Sequence, residues 1–250
     1  AAAAAAAPYV LVEKALRMKD ANVLRGQVMS GTKRVAWSAP LPVARIKEVK
    51  SCLGATVNDV LMSCVAGAIH RYDQLEAAGR LETVRATVPF NVRGPHEPYE
   101  MNNKFAAVLL LLPVGPMDPR ERVMETRRRM DKLKRSVEPL VMYGAASFML
   151  KVLPPKASRK LIDFYANKCS CVLTNVPGPT ETLYIAGSRL HNMMFWVPQR
   201  AGIGVGISIL SFSGMVRMGV IADAEFVADP ASLVAAFEEE FWTLAELVGA

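Results

Sequence analysis

At 250 residues with 52% apolar side chains and dispersed glycine and proline, the chain is long enough for a sizeable core and too apolar to be disordered. Thirty Lys and Arg against 23 Asp and Glu leave a net charge of +7, which suits an anionic partner: a membrane surface, a phosphorylated cofactor or nucleic acid. The longest apolar run, 105–112, falls far short of the roughly 20 residues a spanning helix needs.

Four cysteines, Cys52, Cys64, Cys169 and Cys171, have neither zinc nor CxxC spacing and read as small buried hydrophobes of a reducing compartment. Ala1–Ala7 carries no information and reads as untraced sequence written as alanine; with no initiator Met, the chain reads as part of a longer polypeptide. Residues 10–21 place Leu11, Val12, Ala15 and Leu16 at helical spacing. Residues 1–32 are thus expected to be a leader or linker, and residues 33–250 a domain.

Lys33–Leu41 reads as a strand with Val35 and Trp37 on one face, and Pro42 opens a short basic helix to Cys52. After the turn Leu53-Gly54-Ala55, Thr56 with Asp59 three residues on forms a capping-box pattern, with Asp in the Glu position. The helix 57–78 carries Val60, Leu61, Cys64, Val65, Ala68 and Tyr72 as a buried stripe, and Gly79 closes it. Val84–Phe90 reads as a strand followed by the loop Asn91-Val92-Arg93-Gly94-Pro95. Asn103–Leu112, apolar almost throughout, predicts a central strand covered on both faces.

Asp118 caps a long basic helix, 119–137, with Val123, Met124, Met130 and Leu133 inward. A Met-rich helix over 140–153 with few charges ends at Pro154-Pro155, and another helix covers 156–168. Strands then follow at 169–175, 182–185, 189–197, 202–212 and 215–221. Asp229-Pro230 opens a closing helix to Val248 with Leu233, Val234, Phe237, Phe241, Leu244 and Leu247 inward. Helices and strands interleave without strict βαβ alternation, which predicts an α/β domain: a mixed sheet with flanking helices and a late meander.

The most informative stretch is Cys171–Pro179. An apolar run reaches Thr174 and Asn175 and meets Pro177-Gly178-Pro179. The two prolines lack the N–H of a central strand, so the ladder should stop there, with Gly178 taking the positive φ of a tight turn. Polar side chains at such a strand end either cap it or stand at a crevice. Asn58 and Asp59 lie in the first turn of their helix, where a carboxylate is stabilised by about 0.3–1 kcal/mol; Asn58 is the harder of the two to explain by helix formation.

The three histidines, His70, His96 and His191, form no dyad or metal box and read as structural. Gly202-Ile203-Gly204-Val205-Gly206 mimics a dinucleotide fingerprint but sits in a β pattern. Ile203, Val205, Ile207 and Ile209 should face the core, while Gly204, Gly206 and Ser208 leave room on the other side for a ligand or a backbone. The basic helix has no interleaved aromatics and argues against nucleic-acid binding.

Four stretches in order, Gly54–Val60, Val88–Arg93, Thr174–Pro179 with Leu183-Tyr184, and Gly202–Gly214, resemble the C-terminal half of the bacterial wax ester synthase/diacylglycerol acyltransferase family. The likeness runs from about Lys33 to about Val248. It implies a chloramphenicol-acetyltransferase-like fold in which two halves enclose a channel, and acyl-CoA donates a fatty chain to diacylglycerol or a long-chain alcohol. The Asn-Asp motif of the family matches Asn58 and Asp59, and its Asn-Val-Pro-Gly-Pro stretch matches Asn175–Pro179.

The family's general base belongs to an HHxxxDG motif in the N-terminal half, and no His-His pair occurs in these 250 residues. The resemblance therefore implies a partner half carrying that motif, acyl-CoA as substrate and no resident cofactor or metal. Thr174 and Asn175 are the implied donors to the thioester oxygen. Asn58 and Asp59 are supports, and Arg93, Gly178 and the basic helix are contacts for CoA. The expected setting is the cytoplasm, peripheral to a membrane or lipid droplet. Three rivals are a non-catalytic lipid-binding module of the same fold, a basic interaction domain, and a peptide-synthetase condensation domain, which the Pro-Gly-Pro stretch fits less well.

Overall fold

A computed structural model describes residues 2–20, 22–25, 29–76, 81–94, 97–98, 100–101 and 104–249. His96, Gly79, Pro95 and Asn103 lie outside them. Seven strands form one mixed sheet: β1 (Lys33–Trp37), β2 (Leu41–Pro42), β3 (Thr83–Asn91), β4 (Phe105–Pro113), β5 (Cys171–Pro177), β8 (Val205–Phe212) and β9 (Met215–Asp223). Between β5 and β8 a separate small hairpin pairs β6 (Tyr184–Ile185) with β7 (Ser188–Arg189).

The strand order is β1-β9-β8-β5-β3-β4, with β2 also on β9, so β1 and β2 act as one interrupted edge. β3, β5 and β8 run parallel, and the other pairings are antiparallel.

One face of the sheet is the core face. Ala86, Cys171, Leu173, Ile207 and Val220 all point there and are fully buried. Helices α2 (Val43–Cys52), α3 (Val57–Glu76), α4 (Pro119–Arg135) and α7 (Pro230–Leu247) contribute to the same core, with Ile46, Ile69, Val123 and Phe237 among the buried side chains. Asp118 and Asp229 cap α4 and α7 by accepting from the N–H two residues on, as their positions predict. α5 (Glu138–Val152) packs Met142 and Tyr143 against a second small cluster of Ala106, Val108 and Leu133, α6 (Pro155–Ala166) follows it, and α1 (Ala2–Leu16) starts earlier and stops sooner than the expected helix.

Several expectations fail for physical reasons. Among the described residues β4 is an edge strand, not a central one: it pairs with β3 alone, burying Ala106, Val108, Leu110 and Leu112 while Phe105 stays half exposed. An apolar run cannot tell a two-sided environment from a one-sided edge. Val35 and Trp37 share a face, but it is exposed. Met124 and Leu247 lie outside the core, and Arg122 and Glu240 lie within it as a buried ion pair. Of the expected strand 189–197 only Arg189 lies in a paired strand, β7; residues 190–200 form no strand.

That extended segment, a strap, crosses the second face of the sheet. Ser208, across from Gly219 on β9, donates to the carbonyl of Phe195 and to that of Gly219. A Cβ at Gly206 would come within 2.7 Å of the Val197 carbonyl, and one at Gly219 within 2.3 Å of Met194. Gln199 Nε2 donates to the carbonyls of Gly204 and Ile221, both at 2.7 Å. The room predicted beside Gly206 and Ser208 is thus taken up by the backbone of the strap, and that beside Gly204 by the Phe226 ring and the Leu24 carbonyl.

The stretch before β1 is fastened to the sheet and to the end of α6. Lys168 donates to the carbonyls of Ala15 and Arg17, Asp20 accepts from Ser170 Oγ and Arg85 N, and Arg25 donates to the carbonyls of Asn167 and Cys169. The next turn is held by buried Asp223, which accepts from Ser30 N and Oγ, Gly31 N and Lys33 Nζ. Burial pushes the Asp223 pKa up, but the hydrogen bonds from Ser30, Glu225 and Lys33 together outweigh it and hold the carboxyl well below the usual range.

A depressed native pKa contributes stability that is present above the unfolded value, about 3.9, and is lost as pH falls through the native value. Acid titration of chemical-denaturation midpoints is therefore expected to show a fall below about pH 4 that is shallower in Asp223→Asn.

Candidate functional site

The site grows from two backbone devices. The first is the start of α3. Gly54 turns the chain at φ +60°, and the capping box then closes in both directions. Thr56 N donates to Asp59 Oδ2 at 2.9 Å, and Asp59 N donates to Thr56 Oγ1 at 3.2 Å. Asp59 is fully buried, and its Oδ1 has no partner among the described residues. One position earlier on the helix surface, Asn58 is exposed.

The second device is a parting of the sheet. β3 and β5 share only the pairs Ala86–Cys171 and Thr87–Val172. Beyond them β3 follows β4 to Asn91, while β5 follows β8 to Pro177. Parallel neighbours that diverge toward their carboxyl ends leave a crevice, the usual place for a ligand in a sheet of this kind.

Asn175 lies on the diverging part of β5. Alternation puts it on the same face as Cys171 and Leu173, beyond the packed core and half-buried. Its Nδ2 donates to Asn58 Oδ1 in a short hydrogen bond. The bond joins residues 117 positions apart and leaves Asn58 Nδ2 as a donor and Asn175 Oδ1 as an acceptor at an exposed position.

Thr174 is not part of this cluster. It points to the opposite face of β5, in the row of Ser208 and Gly219, and is buried. Consecutive strand residues cannot direct their side chains into one crevice, so pairing Thr174 with Asn175 as donors to one oxygen is corrected by the pleat.

The Pro-Gly-Pro stretch also differs from expectation. Pro177 pairs with Ser211, so the ladder continues through it. Gly178 is not in the left-handed region; it is needed because a Cβ there would lie 2.3 Å from the Ser211 carbonyl. Its N–H donates to that carbonyl at 2.9 Å, which leaves no backbone donor for a phosphate at this residue.

Arg93 follows the carboxyl end of β3, where its N–H donates to Asn91 Oδ1 at 3.0 Å. It therefore stands at the same sheet edge as Asn175. Much of the basic charge of α4 is paired internally: Arg128 and Arg129 with Glu125, and Arg127 and Lys134 with Asp131. The bonds from Arg128, working against partial burial, help hold Glu125 at about 2. This is the solvated face its composition suggests. No cluster of metal-ligating side chains occurs among the described residues. An open groove of about 640 Å³ lies along α1, lined by Tyr9, Val12 and Leu16, and includes none of the candidate residues.

Residues 101–245 match the model of the WS/DGAT C-terminal domain. The chain is 25% identical over 222 residues to a putative diacylglycerol O-acyltransferase of Mycobacterium tuberculosis, covering 85% of this chain and 46% of that protein. It is 26% identical over 240 residues to a probable diacylglycerol O-acyltransferase, tgs2, of the same species, covering 88% and 49%. The chain spans about half the length of the curated relatives it matches. Among solved structures it is similar to the wax ester synthase/diacylglycerol acyltransferase of Marinobacter aquaeolei VT8, with a TM-score of 0.67 at 18% identity over 99% of this chain and 57% of that one. It is also similar to an epimerization domain of tyrocidine synthetase B, with a TM-score of 0.63 at 12% identity over 98% and 56%.

Proposed function

Because the chain belongs to the WS/DGAT C-terminal domain family, we propose that it is the C-terminal half of an O-acyltransferase that moves a fatty acyl group from acyl-CoA to diacylglycerol or a long-chain alcohol. The observation that supports this most is the Asn175–Asn58 hydrogen bond at the crevice. It joins the two polar motifs of the family resemblance across 117 residues of sequence, beside the opening between β3 and β5.

The reaction needs a base, an acceptor hydroxyl and donors for one oxygen. A histidine of the N-terminal half takes the hydroxyl proton, and the acceptor oxygen bonds to the thioester carbon. The carbonyl electron pair moves onto oxygen. When the C–S bond breaks, CoA leaves as thiolate and takes up the proton. Asn58 Nδ2, held by Asn175, donates to the oxygen while it is negative. Asp59 keeps Asn58 at the helix start through the capping box. In this reading Arg93, at the same sheet edge, meets the CoA phosphates, whereas Thr174 belongs to the packing of β5 against β8.

The partners in this reading are an N-terminal half bearing HHxxxDG, acyl-CoA, the lipid acceptor, and a membrane or lipid-droplet surface reached from the cytoplasm. No resident cofactor and no nucleic acid enter it. The absence of a His-His pair from these 250 residues favours one other reading, a non-catalytic lipid-binding module.

The test joins the chain to an N-terminal half bearing the motif and supplies radiolabelled acyl-CoA with diacylglycerol or a fatty alcohol. Labelled triacylglycerol or wax ester is the expected product. A folded two-lobed protein that binds lipid but transfers no acyl group to either acceptor selects the second reading.

A further inference from the structure

The two edges of the sheet are not alike. At the β4 edge, the outward carbonyl of Leu111 accepts from Arg129 Nη1 of α4 at 3.0 Å. β1 forms the other edge and pairs with β9 alone among the described residues. Ser38 N donates to the Met218 carbonyl, and Ala224 N donates to the Thr32 carbonyl. These two bonds set the phase of the antiparallel ladder. Arg34 and Ala36 turn their main-chain groups toward β9, and Lys33, Val35 and Trp37 turn theirs outward. The outward N–H and C=O groups have no partner among the described residues. The side chains beside them are open to solvent: Val35 is 47% and Trp37 57% exposed. Trp37 meets Trp196 of the strap edge to face, with ring centroids 6.2 Å apart. Such an edge is a template for another strand.

The order of residues selects the occupant. Lys33-Arg34-Val35-Ala36-Trp37 carries both cations at one end and its aromatic ring at the other. Two copies laid antiparallel about Val35 put Lys33 opposite Trp37, Arg34 opposite Ala36, and Val35 opposite Val35. Each cation then faces an apolar residue, and Lys33 meets an indole as a cation–π partner. Parallel pairing would instead set the cations side by side, at a cost. Basic residues guard an edge against most strands, but not against this one arrangement. The main chain agrees with it, because each outward N–H of one copy then meets an outward C=O of the other. We infer that β1 is the seam of a two-fold homodimer, in which two sheets continue across an antiparallel β1–β1 pair.

The contact closes on itself: a two-fold pair uses β1 of both copies and leaves none for a third. The pairing stretch ends at Ala39-Pro40, because Ala39 N already donates to Glu238 and Pro40 has no N–H. A seam this short buries less than a standard interface, so the dimer is expected to be weak and concentration-dependent. Nothing in it depends on acyl transfer.

The experiment is sedimentation equilibrium of the full chain over a wide range of concentration, with amide exchange read at both ends of the range. A reversible monomer–dimer equilibrium is expected. Amides of Lys33, Val35 and Trp37 should exchange more slowly in the concentrated sample, and those of Arg34 and Ala36 should be protected in both. Val35→Pro removes a donor that the β9 ladder does not use, so the urea midpoint should hold. The association constant should fall by at least about tenfold. Should the midpoint fall, the exchange pattern of the wild type decides by itself. A monomer at every concentration, a dimer that a folded Val35→Pro leaves as tight, or a dimer with unchanged exchange at Lys33, Val35 and Trp37 would overturn the inference. Joined to an N-terminal half, the chain should still dimerise. A two-lobed protein that stays monomeric would mean that the other half covers this edge, and would overturn it too.

Discussion

Replacing Asn175 with alanine is expected to lower turnover of the two-lobed enzyme by about 10²–10³-fold while lowering folding stability by about 1 kcal/mol. The asymmetry follows from position. The amide is half-buried at a strand end and makes a neutral hydrogen bond to an exposed partner, so its loss hardly affects the core. The same bond orients Asn58 Nδ2 toward the crevice, where a donor matters most when negative charge has gathered on the thioester oxygen. Asn58→Ala should act alike. The double variant should be little slower than either single one, because the two amides work as one device. Rates with saturating acyl-CoA, set beside urea midpoints, make the comparison. Equal losses in turnover and stability would reduce Asn175 to a strand cap.

The largest effect on stability is expected from Arg122→Met, at about 3–5 kcal/mol. Arg122 is almost fully buried and donates to the carbonyls of Pro113, the last residue of β4, and of Gly115 and Met117 just past it. Its Nε lies 3.4 Å from Glu240 on α7, which also pairs with Arg71 on α3. Burial draws the guanidinium pKa down while Glu240 draws it back up. Removing Arg122 leaves an acid with only a half-exposed partner inside the core, together with carbonyls that lose their donor. Adding Glu240→Gln should recover part of the loss, because the stranded charge is then gone. Denaturant unfolding of the wild type, Arg122→Met and the double variant measures both. A loss below about 1 kcal/mol would mean that the pair behaves as a surface bridge.

Much of the fold was legible because the signals were local. The Thr56–Asp59 box, the Asp118 and Asp229 caps and the stripes of α3 and α7 depend on residues within a few positions of one another, and they stand where the pattern puts them. What was not legible depends on neighbours distant in sequence. The place of β4 at the end of the strand order, with β3 its one partner among the described residues, and the burial of Arg122 beside Glu240, far along the chain, are both set by such neighbours. Gly178 was correctly singled out for the wrong reason: its constraint is the Ser211 carbonyl, not its own φ. In the site, Asn58 and Asn175 were each visible as polar residues that local structure explains poorly. Their bond was not visible, and a linear reading paired Asn175 with Thr174, which the pleat sends the other way.

The two-pair junction between β3 and β5 has a mechanical meaning. The β3–β4 leaf is stitched to the remainder of the sheet by so short a seam that its angle is governed mainly by the helices lying over it. A shift of α3 or α4 would then widen or narrow the cleft like a hinge, without tearing the long β5–β8 ladder that holds Asn175.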